Sequence, residues 1–144
     1  MTVSSSVQHH LDRKGVYYDL LVHPHSRTSL ESARLARVPA DQVAKGVLTH
    51  DGENYLLCVI PSNHRLSIPW LNSKRNGYYH LVSEHRLGEF FDDCEVGAIP
   101  ALGQVYGLHV IWDKALADRE DIYIESGDHE SLIHVTRAGF MELM

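Results

Sequence analysis

The chain has 144 residues, of which 44% are hydrophobic, and it carries a formal net charge of −6. A chain of this length is usually one domain that buries roughly two-thirds of its unfolded surface, so it needs no disulfide framework. The two cysteines lack framework spacing, and no apolar run approaches the ~20 residues that span a bilayer. We therefore expect one domain over residues 1–144, in the cytoplasm and with no membrane partner. The negative charge argues against a broad phosphate-binding surface, so a nucleic acid would be held only at a local spot.

The first half of the chain predicts alternating helices and strands. A helix is expected from the serine cluster at 4–6 to Gly15, because glycine readily adopts the left-handed conformation that often ends a helix. A strand follows over 17–22. Thr28 and Glu31 have capping-box spacing and begin a second helix, which should turn Leu30, Ala33 and Ala36 toward the core. Pro39 ends that helix and begins a helical turn that leads to Lys45.

A β-hairpin is the firmest local prediction. Strands over 45–50 and 54–60 flank Asp51-Gly52, a dipeptide that favours a type I′ turn, in which both central residues need positive φ. The run from Tyr55 to Ile60 is apolar on both faces and predicts a central strand covered on both sides.

The second half predicts short helices over 66–74 and 84–91, with a strand over 79–82 between them. After a loop over 92–106, strands are expected at 108–112, 121–125 and 131–136, and a final helix at 137–143. Too many strands lie close together for a regular βαβ repeat. We therefore expect an α/β fold with a mixed, strongly curved sheet or partial barrel, surrounded by short helices.

Lys45 needs an explanation because strand alternation places it on one face with Val43, Val47 and Thr49. Such a cation either extends to water or serves a site. A solvated lysine near a helix end is the simpler interpretation when only the local sequence is considered.

The familiar catalytic motifs are missing from the sequence. His129 and His134 are five residues apart, about 140° around a helix, whereas the helical zinc motif needs a spacing of four. His23, His25, His9 and His10 lack a third convergent ligand, so no metal site and no cofactor is predicted. No Gly-x-Ser-x-Gly elbow and no Walker-type phosphate loop is present.

Two glycine loops complete the pattern: Gly97-Ala98-Ile99-Pro100-Ala101-Leu102-Gly103 and Ser126-Gly127-Asp128-His129. Taken with Asp41-Gln42-Val43-Ala44-Lys45, Asp51-Gly52 and Val105-Tyr106-Gly107-Leu108, their order resembles that of the YbaK/EbsC family, the prolyl-tRNA synthetase-associated editing domains. The resemblance runs from about Tyr17 to the C-terminus.

The resemblance implies a metal-independent aminoacyl-tRNA deacylase, a hydrolase that removes a small wrong amino acid such as Cys, Ala or Pro from the tRNA 3′ end. The family's essential lysine falls on Lys45, which would face the loop from Gly97 to Gly103 and stabilise the charge that develops on the ester carbonyl. The aminoacyl-tRNA 3′ end is the implied partner, and an aminoacyl-tRNA synthetase is a second candidate. The substrate-binding residues expected from the two loops are Gly97, Ala98, Ile99, Pro100, Ala101, Gly103, Gly127 and His129.

Three alternatives stay open from the sequence. His129 either orients the attacking water or is a turn histidine exposed to solvent. The fold could serve as a non-catalytic module that binds a small amino acid, a nucleotide or a protein. A histidine-ligated metal hydrolase is the third alternative.

Overall fold

The computed structural model describes residues 3–95 and 98–144. Its helices are α1 (Ser5–Lys14), α2 (Ser29–Ala36), α3 (Ile68–Arg75), α4 (Glu84–Leu87) and α5 (Arg137–Leu143). Its strands are β1 (Asp19–Val22), β2 (Val43–His50), β3 (Tyr55–Pro61), β4 (His80–Leu81), β5 (His109–Trp112), β6 (Asp121–Glu125) and β7 (Ser131–Thr136). Short 3₁₀ turns occupy Ala40–Gln42, Gly103–Tyr106 and Lys114–Asp118. Within the described ranges, no helix has the length and hydrophobicity needed to cross a membrane.

All seven strands form one mixed sheet. The strand order is β1-β7-β6-β2-β3-β5, and β4 pairs separately with β2. The β2–β6 and β3–β5 pairs are parallel, and the other pairs are antiparallel. Because β1 and β5 end the order without pairing with each other, the sheet stays open. The predicted α/β fold, with a mixed sheet short of a closed barrel and several short helices, is confirmed.

β3 is an interior strand buried on both faces, as its apolar run predicts. Leu57 and Val59 belong to the main core, which α1 and α5 cover. Leu56 and Cys58 point to the opposite face and pack with Leu71 of α3. The sheet therefore separates two apolar layers, and the layer a β2 residue joins is fixed by its parity along the strand.

The predicted ends of α1 and the predicted start of α2 are confirmed. Ser4 accepts a hydrogen bond from the Val7 amide at the start of α1, and Gly15 ends that helix with φ of 66°. Thr28 accepts one from the Glu31 amide at 3.1 Å. These bonds satisfy amides that a helix end leaves without partners.

The inward orientation predicted for Leu30 is wrong, since Leu30 is 52% exposed. The α2 face against the sheet is instead formed by Ser29, Ser32 and Ala33, all of which are buried. A buried acceptor on β6 makes this polar face stable, and an apolar periodicity rule could not detect that acceptor.

The type I′ turn predicted for the β2–β3 hairpin is also wrong. The strands pair up to His50 opposite Tyr55, which leaves a four-residue loop. Gly52 has φ of 103°, but Asp51 is not among the residues with positive φ. The Asp51 carboxylate instead accepts hydrogen bonds from the Glu53 and Asn54 amides at 2.9 and 2.6 Å, so a side chain organises the turn.

Several predicted boundaries were too long. β1 begins at Asp19, opposite His134, and not at residue 17. The predicted elements at 79–82 and 84–91 are reduced to two and four residues.

Candidate functional site

Lys45 lines an open cavity of about 350 Å³ on the sheet face that α3 partly covers. It is paired across the hairpin with Ile60, and it is half-buried. The residues that line this cavity, hereafter the Lys45 cavity, are Leu30, Lys45, Val47, Ser62, Asn63, His64, Arg65, Leu66 and Leu81. The volume falls at the lower end of the range for small-molecule sites.

The sheet has a gap beside Lys45. On the edge away from β3, β2 pairs with β6 only at Val43 and Ala44, and with β4 only at Thr49 and His50. Within the described residues, the backbone from 45 to 47 therefore has a strand partner on one side only. Because successive residues of a strand direct their backbone groups to alternate edges, a gap of this kind presents a backbone donor and acceptor to a ligand.

Two cations face the Lys45 cavity without a counter-ion. Burial lowers the pKa of Lys45 from its ordinary value, and the nearby Arg65 guanidinium lowers it further. Among the described residues, neither Lys45 nor Arg65 forms an ion pair. Like charges held together repel, and an anion or a developing negative charge would relieve the repulsion.

A second polar region lies next to this cavity and is closed to solvent. We call Ser26, Ser29, Ser32, Glu125 and His129 the buried polar cluster. Glu125 has no exposed surface and accepts hydrogen bonds from the Ser29 and Ser32 hydroxyls at 3.2 and 2.9 Å. His129 Nδ1 lies 4.0 Å from a Glu125 oxygen and 3.4 Å from the Ser26 hydroxyl.

Burial dominates the chemistry of Glu125. It raises the pKa of this carboxyl to about 6, against the opposing hydrogen bonds from Ser32 and Ser29. Glu125 Oε1 has no hydrogen-bond partner among the described residues. Glu125 is thus a carboxyl group that titrates near neutral pH inside the protein.

Strand register relates the two regions. The parallel pairing of β2 with β6 ends at Ala44 opposite Ile124, and the next residues are Lys45 and Glu125. Because paired residues of parallel strands point to the same face, both side chains leave the sheet toward α2. α2 spans the two regions, since Leu30 lines the Lys45 cavity and Ser29 and Ser32 bind Glu125.

The second glycine loop packs against the segment that leads into the first. The Gly127 carbonyl accepts a hydrogen bond from the Glu95 amide at 2.8 Å. Gly127 has φ of 113°, and a Cβ there would lie 3.1 Å from Cys94 Sγ. Across the same contact, His25 lies 3.4 Å from Glu95 and its ring meets the His129 ring at 5.8 Å.

His129 is a buried residue and not an exposed turn histidine. It is 2% exposed and adopts φ of 59°. The alternative that placed it in solvent is therefore wrong, and the role in orienting water stays a prediction.

The first glycine loop lies apart from Lys45. Gly97 is outside the described residues, and the rest of the loop is buried: Ala98, Ile99, Pro100, Ala101, Leu102 and Gly103. Ile99 and Ala101 pack in the main core with Ala44, whose side chain points to the sheet face opposite Lys45. The expectation that Lys45 faces this loop is not met by the described side chains.

Sequence reasoning missed Arg65 and Glu125. Arg65 could have been noticed because it falls in a long stretch without acidic residues. Glu125 could have been noticed as a carboxylate that ends an alternating apolar strand directly before the Ser126-Gly127 turn. In the described part of the chain, no group of three or more His, Cys, Asp or Glu side chains could hold a metal ion.

Comparison with known proteins gives a match to one family. A family model for the aminoacyl-tRNA editing domain matches residues 23–143. No curated protein gives a significant match.

Solved structures share the fold at low identity. The hypothetical protein APE2540 is 21% identical with a TM-score of 0.84, covering 97% of this chain and 94% of that one. A candidate trans-editing enzyme for prolyl tRNA synthetase is 18% identical with a TM-score of 0.83, covering 97% and 90%. A candidate signal transduction protein from Marinobacter aquaeolei VT8 is 15% identical with a TM-score of 0.78, and the likeness covers 96% of this chain but 28% of that one.

Proposed function

Because the chain belongs to the aminoacyl-tRNA editing domain family, we propose that it is a trans-editing hydrolase acting on mischarged aminoacyl-tRNA. The reaction adds water across the ester between the amino acid and the terminal ribose. It yields the free amino acid and a tRNA with a free 3′-terminal hydroxyl. The observation that carries the proposal is Lys45, a half-buried cation at a gap in the sheet that has no counter-ion among the described residues.

Lys45 is the proposed catalytic residue. When water attacks the ester carbonyl, negative charge develops on its oxygen, and a positioned ammonium group stabilises that charge more than the neutral ester. The proton of the attacking water leaves with the ribose oxygen, so the step needs no protein nucleophile. The edge of β2 at 45–47, which has no strand partner among the described residues, supplies further hydrogen-bonding groups for the substrate.

The cavity supports a small aminoacyl group such as Cys, Ala or Pro. Leu30, Val47 and Leu81 form its apolar walls, and its volume of about 350 Å³ must also admit part of the terminal nucleotide. A bulky side chain would exceed that space.

The substrate-binding role of the two glycine loops stays a prediction. Among the described residues these side chains are buried, which leaves mainly backbone groups for contact with a ligand: Ala98, Ile99, Pro100, Ala101, Gly103, Gly127 and His129. Delivery of the tRNA by a synthetase also stays a prediction, and so does a single domain over residues 1–144.

Deacylation of a panel of tRNAs mischarged with Cys, Ala, Pro and larger amino acids tests the proposal. We expect Lys45→Ala to lower kcat/KM by about 100-fold or more, in line with the loss of one charge-stabilising donor. Lys14→Ala, which removes an exposed lysine at the end of α1, is the matched control and should leave the rate unchanged.

Equal rates for wild type and Lys45→Ala would end the proposed role of this residue. If wild type deacylates no tRNA but binds a free amino acid or nucleotide saturably, the protein is a binding module. Stoichiometric metal that is lost together with activity on chelation would instead indicate a metal hydrolase.

A further inference from the structure

The charges of this chain are distributed unevenly along its sequence. Residues 54–83 contain no Asp or Glu, although the whole chain has 19 of them. The same stretch carries three cations, Arg65, Lys74 and Arg75. It forms β3, α3 and β4, so a cationic segment is folded into an otherwise acidic protein.

The cationic segment lies on the sheet face that carries Lys45. Leu71 of α3 packs on Leu56 and Cys58, and these β3 residues are paired with Thr49 and Val47 on the Lys45 side of β2. Arg65 lines the Lys45 cavity directly and lies two residues before Ser67, the N-cap of α3. Lys74 and Arg75 occupy the last turn of the helix.

These cations form no ion pair within the part of the chain that the structure describes. Arg65, Lys74 and Arg75 are exposed, and none forms an ion pair with any described residue. His64 differs from them, since it lies 3.7 Å from Asp113. The positive field of α3 is therefore left for a ligand outside the chain.

Two aromatic side chains are exposed among the cations. Trp70 on α3 is 54% exposed, and Tyr78 just beyond the helix is 81% exposed. Exposed aromatics between Lys and Arg residues are typical of surfaces that bind single-stranded nucleic acid, because bases stack on the rings while the cations contact the phosphates.

The length of α3 suits a short strand. Eight helical residues extend about 12 Å, which corresponds to about four stacked nucleotides at ~3.4 Å each. A strand that follows α3 toward its start arrives at Arg65 and then at the Lys45 cavity, where the proposed ester would lie.

We propose that Arg65, Trp70, Lys74, Arg75 and Tyr78 form an RNA-binding surface, the α3 surface, which holds the last nucleotides before the tRNA 3′ end. This inference rests on the proposed function for the identity of the RNA. It adds the side chains by which an acidic protein grips a polyanion at one local spot.

The test compares two dibasic helix ends. Lys74→Gln/Arg75→Gln changes the last turn of α3, and Arg13→Gln/Lys14→Gln makes the same change in the last turn of α1. Both pairs suit a helix C-terminus, so the two variants lose the same charge and the same dipole interaction. Affinity for uncharged tRNA is measured at several salt concentrations.

We expect the α3 variant to bind tRNA about 10-fold more weakly at low salt. Its plot of log affinity against log salt should be shallower by about 1.4, the value for two lost phosphate contacts to a single strand. The α1 variant should match wild type. Equal tRNA affinity of the two variants would overturn the proposal. So would an α3 variant that binds tRNA like wild type but has lost binding to a protein.

A second matched pair tests the stacking contact. Tyr78→Ala and Tyr17→Ala each remove a tyrosine that is 81% exposed, so neither should affect folding. We expect Tyr78→Ala to weaken tRNA binding by about fivefold or more and Tyr17→Ala to leave it unchanged. All these variants should bind a tRNA that lacks its last four nucleotides with the same affinity as wild type. If their affinities still differ, the surface holds another part of the RNA and the proposal fails.

Binding and catalysis are measured separately so that the two proposals fail separately. Deacylation that depends on Lys45 but not on the α3 surface would refute only the present inference. RNA binding that depends on the α3 surface, in a protein that deacylates no tRNA, would refute only the proposed function. If both hold, the α3 variant should lose kcat/KM through a higher KM.

Discussion

The Lys45 cavity and the buried polar cluster are neighbours on one sheet face, but they differ in whether their charged groups have partners in the protein. Glu125 has no exposed surface, and two serine hydroxyls donate to it. Lys45 is half-buried beside another cation, with no ion pair among the described residues. The cluster resembles a structural element whose polar groups are mostly paired inside the protein, and the cavity resembles a site that awaits a ligand.

This difference in the pairing of charged groups indicates which of the two regions binds a ligand. A buried polar group that finds partners stabilises one arrangement of the chain. Cations held together without partners cost stability, and proteins retain such strain where a ligand compensates it. Mutations at the buried polar cluster should therefore lower the free energy of unfolding. Mutations at the Lys45 cavity should leave it unchanged or raise it.

The largest expected change in stability comes from Gly127→Ala, in the loop between Glu125 and His129 of the buried polar cluster. This substitution imposes φ of 113° on a residue with a Cβ, and it places that Cβ 3.1 Å from Cys94 Sγ and 3.2 Å from Ser4 Cβ. Backbone strain and overpacking together should lower the free energy of unfolding by about 3 kcal/mol. Urea denaturation measures the change.

Gly52→Ala is the control for Gly127→Ala. Gly52 has φ of 103°, but an added Cβ would meet no atom within 4 Å. It should therefore cost only the backbone strain, about 1 to 2 kcal/mol. Equal losses of unfolding free energy for the two variants would mean that Cys94 and Ser4 move aside easily. The loop at Gly127 would then not be tightly packed.

The pH dependence of Glu125 gives the next effect. Its pKa of about 6 in the folded protein lies above the ordinary value of 4.5, so the folded state binds more protons between these pH values. The free energy of unfolding should therefore fall as pH rises from about 4.5 to 6, and the loss should persist above pH 6. Glu125→Gln cannot ionise and should be favoured over wild type by about 2 kcal/mol at pH 7, relative to the difference at pH 4.

Unfolding curves of Glu125→Gln and wild type at pH 4, 5, 6 and 7 measure this effect. Glu142→Gln, on an exposed position of α5, controls for the loss of one carboxylate. Curves of Glu125→Gln and wild type that shift in parallel with pH would contradict the burial of this carboxyl.

The smallest expected effect belongs to the Lys45 cavity. Lys45→Met removes a cation that burial and Arg65 both disfavour, while keeping an unbranched chain of similar length. The free energy of unfolding should stay within about 0.5 kcal/mol of wild type or rise, although deacylation is lost. A decrease of more than about 1 kcal/mol in the free energy of unfolding would show that Lys45 makes stabilising contacts, as the side chains of the buried polar cluster do.

Predictions of helix caps and of the central strand, which rest on neighbouring residues, succeeded. The Thr28 cap, the Gly15 helix end and the buried β3 strand follow from hydrogen bonds and periodicity within a few residues. The type I′ turn failed even at this range, because the dipeptide rule ignores the Asp51 carboxylate that binds the next amides.

The candidate site was predicted only in part. Lys45 was singled out from strand alternation and from the family resemblance, and the structure places it in a cavity. Its neighbours were not predicted, because Arg65 and Leu81 reach the cavity through β3, α3 and β4. The loop at 97–103 was expected near Lys45, but its described side chains pack on the other face of the sheet.

Local sequence is enough to predict the hairpin, the helix ends and the mixed order of elements. It also predicts that the side chains of Lys45 and Ala44 lie on opposite faces of the sheet. These features depend on contacts between residues close in the chain. Three features depend on the tertiary structure: Ser29 and Ser32 face inward, Glu125 is buried, and within the described residues β2 has no strand partner at 45–47 on the edge away from β3. Each of these depends on the pairing of β2 with β6, about 80 residues apart, and on the α2 helix that covers them. The local sequence specifies which face a residue occupies, and the distant strands specify what it meets there.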